Sequence, residues 1–162
     1  MTTILHGDEF SRPRSERPVS PDEPSDYYES IDYSALFSLI FPAARSGAPQ
    51  TLGIRQTDWE RDDWQTVRLN LSNVDVLVVE GAFLFREGRQ REFDLSLWLE
   101  IGWELALERA ASRPRDVERF GSPTAVRERY ETRYLPAQQM HLERDHPKRG
   151  VTMVVRSPQA PS

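Results

Sequence analysis

Apolar residues fall along this chain in two kinds of run. The first kind is short and continuous. At 74–80, VDVLVVE, four valines and a leucine crowd together without alternation, the pattern of a strand covered on both faces of a parallel sheet. FDLSLWLEI at 93–101 and VTMVV at 151–155 are similar candidates, and 2–6 reads as a short strand running into a loop at Gly7-Asp8. The second kind recurs at helical spacing. Ile31, Leu36, Leu39 and Ile40 share one face of a helix expected over 30–44, which Gly47 stops and Pro42 limits or kinks. Trp103, Leu107 and Ala111 mark a helix over 102–112. Ser122-Pro123 offers an N-cap and a first-turn proline. The helix that follows places Val126, Tyr130, Tyr134, Ala137 and His141 on one face, with a kink expected at Pro136.

Between these elements, 51–56 and 65–71 lean towards strand and flank the acidic turn DWERDD, which predicts a hairpin. The stretches 11–24 and 113–123 read as a surface loop and an Arg-rich connection. Strands alternating with helices imply an α/β fold with a mostly parallel sheet and flanking helices. A single domain is expected over 1–156, with a tail at 157–162.

Composition narrows the chemistry. The 162 residues carry a net charge of −5, which argues against a nucleic-acid footprint. The absence of cysteine excludes disulfides and thiolate chemistry. No apolar run approaches the ~18 residues of a membrane span, and the first residues lack the basic and apolar regions of a signal peptide. A cytoplasmic protein without membrane or nucleic-acid partners is the expectation. Lys148 is the sole lysine, so phosphate binding would fall to arginine forks.

Several residues could carry chemistry. Glu80 closes a buried strand just before Gly81, and ligands gather at the carboxyl ends of parallel strands. A Mg²⁺ with nucleotide, an arginine or a backbone donor would each offset its charge. Asp8 ends the first strand and could deprotonate a hydroxyl, or simply cap a turn. Arg109, Arg113, Arg115 and Arg119 could close over a polyphosphate, or form a solvated face paired with Glu104, Glu108 and Glu118. Asp58 and Trp59 in the hairpin turn could hold a ring-bearing ligand; a hydrated acidic turn explains the acids equally well. His6, His141 and His146 have no metal-ligand spacing and read as structural or surface groups.

In order, these pieces resemble the uridine kinase-like branch of the P-loop nucleoside kinases, a group that includes phosphoribulokinase-like proteins. ILHGDEFSRP resembles the segment whose first acid is the base for a sugar hydroxyl, here Asp8. SDYYESIDYSAL resembles the following helix, with Asp26 at a ribose-contacting position. IRQTDWERDD is similar to the hairpin laid against the base, with Asp58 and Trp59 in the match and Thr57 where a tyrosine is usual. VLVVEGAF resembles the strand whose acid, Glu80, is associated with Mg²⁺. ERAASRPRDVERFG resembles an arginine-bearing lid with Arg115 and Arg119, RYETRYLPAQQMH the helix after it, and GVTMVV the last strand. The resemblance implies transfer of the ATP γ-phosphoryl group to a nucleoside or small-alcohol hydroxyl, with Mg²⁺.

One element of that pattern has no counterpart. None of the eight glycines precedes a lysine, so G-x-x-x-x-G-K-[ST] does not occur in these residues. The expectation is a P-loop kinase-like fold whose first strand-loop-helix unit is missing, an N-terminally truncated domain that leaves Val76, Val78 and Leu97 short of cover. The alternative reading is a non-catalytic pseudo-kinase acting as a binding or regulatory module. A homo-oligomer and a pairing with an intact relative both stay open.

Overall fold

The computed structural model describes residues 1–17 and 23–157. In chain order it contains β1 (Thr2–His6), α1 (Pro24–Glu29), α2 (Phe41–Arg45), β2 (Thr51–Asp58), β3 (Asp63–Asn70), β4 (Val76–Glu80), β5 (Leu97–Glu100), α3 (Trp103–Ser112), α4 (Pro114–Phe120), α5 (Pro123–Arg129), α6 (Leu135–Asp145) and β6 (Met153–Arg156). The expected tail lies, apart from Ser157, outside the described residues, as do residues 18–22 of the expected loop. The chain divides into two compact units. The first comprises Met1–Pro21 and Glu29–Leu84, the second Asp22–Tyr28 and Phe85–Ser162.

In the first unit β1 and β4 pair in parallel, from Thr2 opposite Val76 to His6 opposite Glu80. Leu5, Phe10, Ile31, Leu36, Ile40, Ile54, Leu69 and Phe83 are among its buried core residues. The hairpin of β2 and β3 is in register from Thr51–Asn70 to Asp58–Asp63. Its strands run further into the turn than the sequence predicts, because Asp58 accepts the N–H groups of Glu60 (3.0 Å) and Arg61 (3.1 Å) and closes the turn beyond them. Thr57 fastens the hairpin to the segment after β1. Its hydroxyl donates to the Ser11 carbonyl at 2.5 Å, with the Glu9 carbonyl 3.1 Å away.

The strand at β4 departs from the expectation of cover on both faces. Alternate residues of the β1–β4 pair face outward, and Ile4, Val76 and Val78 are 54%, 51% and 40% exposed. In the second unit β5 and β6 also pair in parallel, from Leu97–Met153 to Glu100–Arg156. Leu97, Leu99, Met153 and Val155 are likewise exposed there. Glu100 takes an ion pair from Lys148 and another from Arg156 at 3.1 Å, which hold its carboxyl below the usual range.

The helix expected from residue 30 starts later. Ser30 and Ile31 are used in a bridge: the Arg12 amide donates to the Ser30 carbonyl (2.6 Å) and Ser11 faces Ile31. Asp32 then accepts the Ser34 amide at 2.9 Å, and the helical turns follow. The expected kinks at Pro42 and Pro136 appear as widened π turns, Leu36–Ile40 and Tyr130–Tyr134, which lead into α2 and α6. A proline ring collides with the carbonyl four residues back, and a wider turn relieves the collision. Most of the expected connection at 113–123 is the helix α4, begun by Pro114 and ended by Gly121 with φ +91°. Ala110, Ala111 and Val126 form a buried cluster there, with Val117, Phe120 and Tyr130 packed on it. No helix of the described residues is long and apolar enough to cross a membrane.

Candidate functional site

The carboxyl end of the β1–β4 pair carries the first candidate group. Parallel pairing sets His6 beside Glu80, and His6 Nδ1 lies 2.7 Å from Glu80 Oε1. A carboxylate only accepts, so Nδ1 donates. That bond raises the His6 pKa above its ordinary value; slight desolvation opposes it, and the charges of Glu80, Glu9 and Asp8 add to it. Asp8 and Glu80 therefore gather at one end of the strand pair although 72 positions separate them in the chain. Among the described residues no side-chain hydrogen bond or ion pair engages the Asp8 carboxylate, which is exposed. The Asp8 backbone carbonyl, rather than its side chain, closes the turn by accepting the Ser11 amide at 3.1 Å.

Gly7 and Gly81 directly follow the two strand ends and lie back to back. A side chain at Gly7 would sit 2.7 Å from the Gly81 Cα, and one at Gly81 would sit 2.8 Å from the Gly7 Cα. Either would also overlap the Tyr33 hydroxyl, which donates to the Ala82 carbonyl at 2.8 Å. The two glycines thus let one tyrosine lock both strand ends.

Glu80 bears on the cation question. Among the described residues no three of His, Asp or Glu are grouped to cage a metal ion. The donor set does not fit a resident ion. It fits Mg²⁺ that arrives with phosphates, which commonly takes only one or two protein carboxylates.

In the hairpin turn, Asp58 is spent on the turn amides and on Arg61 at 3.4 Å. Trp59 stands 49% exposed. Arg55 lies over the Trp64 ring, 4.5 Å from its centroid.

The second unit holds Asp26, Arg115 and Arg119. Asp26 is 0% exposed and ion-paired with the buried Arg133. The Arg133 guanidinium is flanked by the Tyr27 and Tyr134 rings, each 5.6 Å away. On α4, the buried Asp116 takes Arg113 at 3.1 Å and Arg115 at 3.6 Å, while Arg115 itself stays exposed. Arg119 lies against Phe120. A separate buried network joins Tyr28, Asp145 and His141. Asp145 accepts from the Tyr28 hydroxyl (2.6 Å), from His141 Nδ1 (2.7 Å) and from the Glu87 amide (3.1 Å). Burial raises the Tyr28 pKa well above the ordinary tyrosine value.

No protein-family model matches the sequence, and no curated protein does. Solved structures do. A Bacillus stearothermophilus protein described as a possible uridine kinase superposes with a TM-score of 0.67 at 21% identity, over 94% of this chain and 71% of its own. YFH7 of Saccharomyces cerevisiae, assigned as a P-loop containing kinase with a circular permutation, gives 0.67 at 13% identity over 98% of this chain. The fold is that of the P-loop kinases. A third P-loop kinase-like neighbour, from Silicibacter sp. TM1040 and assigned as a fructose transport system kinase, gives 0.64 at 14% identity, covering 95% of this chain and 74% of its own. The chain spans 59% of the length of YFH7.

Within this P-loop kinase fold, sequence reasoning missed the pairing of His6, the niche of Tyr33 and the burial of Asp116 and Arg133. His6 became visible only through strand register. Tyr33 was hidden because two glycines distant in sequence make its niche. Asp116 and Arg133 were legible only as members of charged helices.

Proposed function

We propose that this chain forms the acceptor-side and lid portion of an ATP-dependent phosphotransferase of the uridine or nucleoside kinase type. The observation that carries this reading is the placement of Asp8 and Glu80 at one carboxyl end of a parallel strand pair, in a fold shared with kinases. In the step, the acceptor hydroxyl gives its proton to Asp8 as its oxygen bonds to the γ-phosphorus. The bond from that phosphorus to the bridging oxygen breaks, and ADP leaves with the electron pair. Mg²⁺ bound with ATP would neutralise phosphate charge, and Glu80 is the residue that would hold it. In the resemblance, the lid arginines Arg115 and Arg119 are the residues that would supply positive charge to the transferring group. Asp58 and Trp59 belong to the acceptor's ring side. Asp26, which the resemblance makes a ribose contact, is committed here to Arg133 and enters the proposal through that pair.

A coupled ADP-release assay with Mg·ATP across a panel of nucleosides, run on the chain joined to a phosphate-binding strand-loop-helix unit from an intact relative, tests the proposal. Asp8→Asn should lower kcat by roughly 10²-fold or more with little change in KM, because the amide still binds the ground-state hydroxyl. An unchanged kcat removes Asp8 from the role of base.

A second reading has its own observation. These residues contain no G-x-x-x-x-G-K-[ST], whose amides and lysine supply most phosphate contacts. Without those groups these residues alone should show no micromolar affinity for Mg·ATP by calorimetry, and a restored chain that phosphorylates no member of the panel favours a non-catalytic binding or regulatory module. Micromolar binding that survives Arg115→Ala favours the enzyme.

A further inference from the structure

Two segments of the second unit, 86–92 and 144–150, lead towards β5 and β6. Together they hold six Lys and Arg against three acids, in a chain whose net charge is −5. Gln90 ties one segment to the other, because its Nε2 donates to the Arg149 carbonyl. Gly150, at φ +82°, has no side chain to fill the space beside it. A β-carbon placed there would lie 4.0 Å from Gln90 Nε2 and 4.0 Å from Arg91 Nε. The Gln90 amide and the Arg91 guanidinium therefore meet beside this turn. Arg91 and Arg149 are exposed, and neither enters an ion pair among the described residues. Gln90 itself is only 4% exposed. Its Oε1 is sealed from solvent and has no hydrogen-bond partner among the described residues. Turning the amide over would set Oε1 against the Arg149 carbonyl, acceptor to acceptor, so the bond from Nε2 fixes its orientation. A buried acceptor left bare is uncommon and calls for a donor.

We infer that Gln90, Arg91 and Arg149 form a binding site for a phosphate group that carries a proton. The two guanidiniums meet its charged oxygens, which their planar forks match. The P–OH donates to Gln90 Oε1, and the second N–H of Nε2 donates to a neighbouring phosphate oxygen. Other occupants satisfy only part of this set. A water would serve Oε1 but leave both guanidiniums without a counter-ion. Sulfate would serve the guanidiniums but leave Oε1 bare, because it has no proton to give at ordinary pH. A protonated phosphate serves both, whether it is the free ion or a monoester. None of these three residues enters the phosphotransfer reading, and the site does not need it.

Inorganic phosphate, phenyl phosphate and sulfate are titrated into the full chain at constant ionic strength, with affinities from calorimetry and the site read by NMR. The titrations run at about pH 6, where inorganic phosphate is mostly the monoanion and about half of a monoester keeps its proton. Sulfate then carries the larger charge, so attraction by arginine alone would favour sulfate. Phosphate should instead bind roughly tenfold or more tightly than sulfate, the effect of one hydrogen bond to a buried acceptor. It should also shift the Gln90 side-chain amide and the Gly150 backbone amide resonances. Arg91→Met and Arg149→Met should each weaken phosphate by roughly tenfold while leaving the melting temperature unchanged. Gln90→Glu keeps the size of the side chain but repels the anion, and should abolish binding. Should that variant unfold, the two arginine variants and the sulfate comparison still decide. Arg127→Met, at an exposed position of α5, should leave affinity unchanged. Tighter binding of phenyl phosphate assigns the site to an esterified phosphate, and tighter binding of inorganic phosphate to the free ion. Sulfate binding as tightly as both phosphates overturns the inference. So does phosphate affinity that neither arginine variant lowers, or a set of shifts that leaves out Gln90 and Gly150.

Discussion

His141 shows how one buried side chain sets a pH response. Burial pushes its pKa below the ordinary value of 6.5, against the pull of the Asp145 carboxylate. The folded chain thus prefers the neutral ring, and that stabilisation is complete above pH 6.5 and is lost as pH falls through the folded-state value. Burial alone would raise Asp145, but the bonds from Tyr28, His141 and the Glu87 amide together hold it below 3.8. Its contribution has the same sign and is lost in a lower window, beneath pH 3.8. His6 has the opposite sign: its raised pKa gives stability below pH 6.5 that fades as pH rises through the folded value. Its exposure to solvent makes that contribution minor. The melting temperature should therefore fall from pH 7 to pH 5, and His141→Gln should flatten the slope in a calorimetric series. At the glycine pair, Gly81→Ala should cost about 1–3 kcal/mol by overpacking, because the Gly7 backbone stands in the way as well as the Tyr33 hydroxyl. Tyr33→Phe should cost only about 1 kcal/mol, one hydrogen bond; urea titration of both variants makes the comparison.

At the scale of elements, the two proline-preceded π turns share a detail. The residue four before each proline, Ser38 or Thr132, turns its hydroxyl onto the carbonyl four residues further back, at 2.8 Å in both cases. Such back-bonding bends helices and works with the proline in the same direction. Continuous Val and Leu runs made β4, β5 and β6 legible in the sequence, and the hairpin was legible from its acidic turn. Helix α4 was not, because its charge outweighed two signals that were present, Pro114 at its first turn and Gly121 just past its end. The His6–Glu80 pairing was illegible for a different reason: register between strands 70 residues apart depends on the whole unit. Arg133 was unreadable as a buried group because its partner, Asp26, lies on another helix. Breaking that pair by Arg133→Ala should destabilise by about 3–5 kcal/mol, since a buried carboxylate loses its guanidinium partner. Combining it with Asp26→Asn should recover part of the loss in thermal melts.

For the whole molecule, each unit contains one two-stranded parallel sheet with an exposed apolar face. The three fold neighbours share the P-loop kinase fold, while Thr57 shows where the resemblance needs restating. The position that usually bears a tyrosine here anchors the hairpin to the backbone after β1. Thr57→Val should therefore loosen the hairpin, seen as faster exchange of the β2 amides, before any effect on acceptor choice appears.

The scarcity of lysine has a practical consequence. A polypeptide of these 162 residues offers an amine-directed reagent two targets, the Lys148 ammonium and the Met1 ammonium. Lys148 is held by Glu100 at the end of β5, and Met1 by Asp75 at the start of β4, so one amine falls in each unit. A homobifunctional cross-linker of chosen length then becomes a ruler with one mark on each body. The shortest spacer that joins the two amines within a single chain, identified by mass spectrometry, bounds the separation of the units in solution. Repeating the measurement with ligand present reports whether the bodies move.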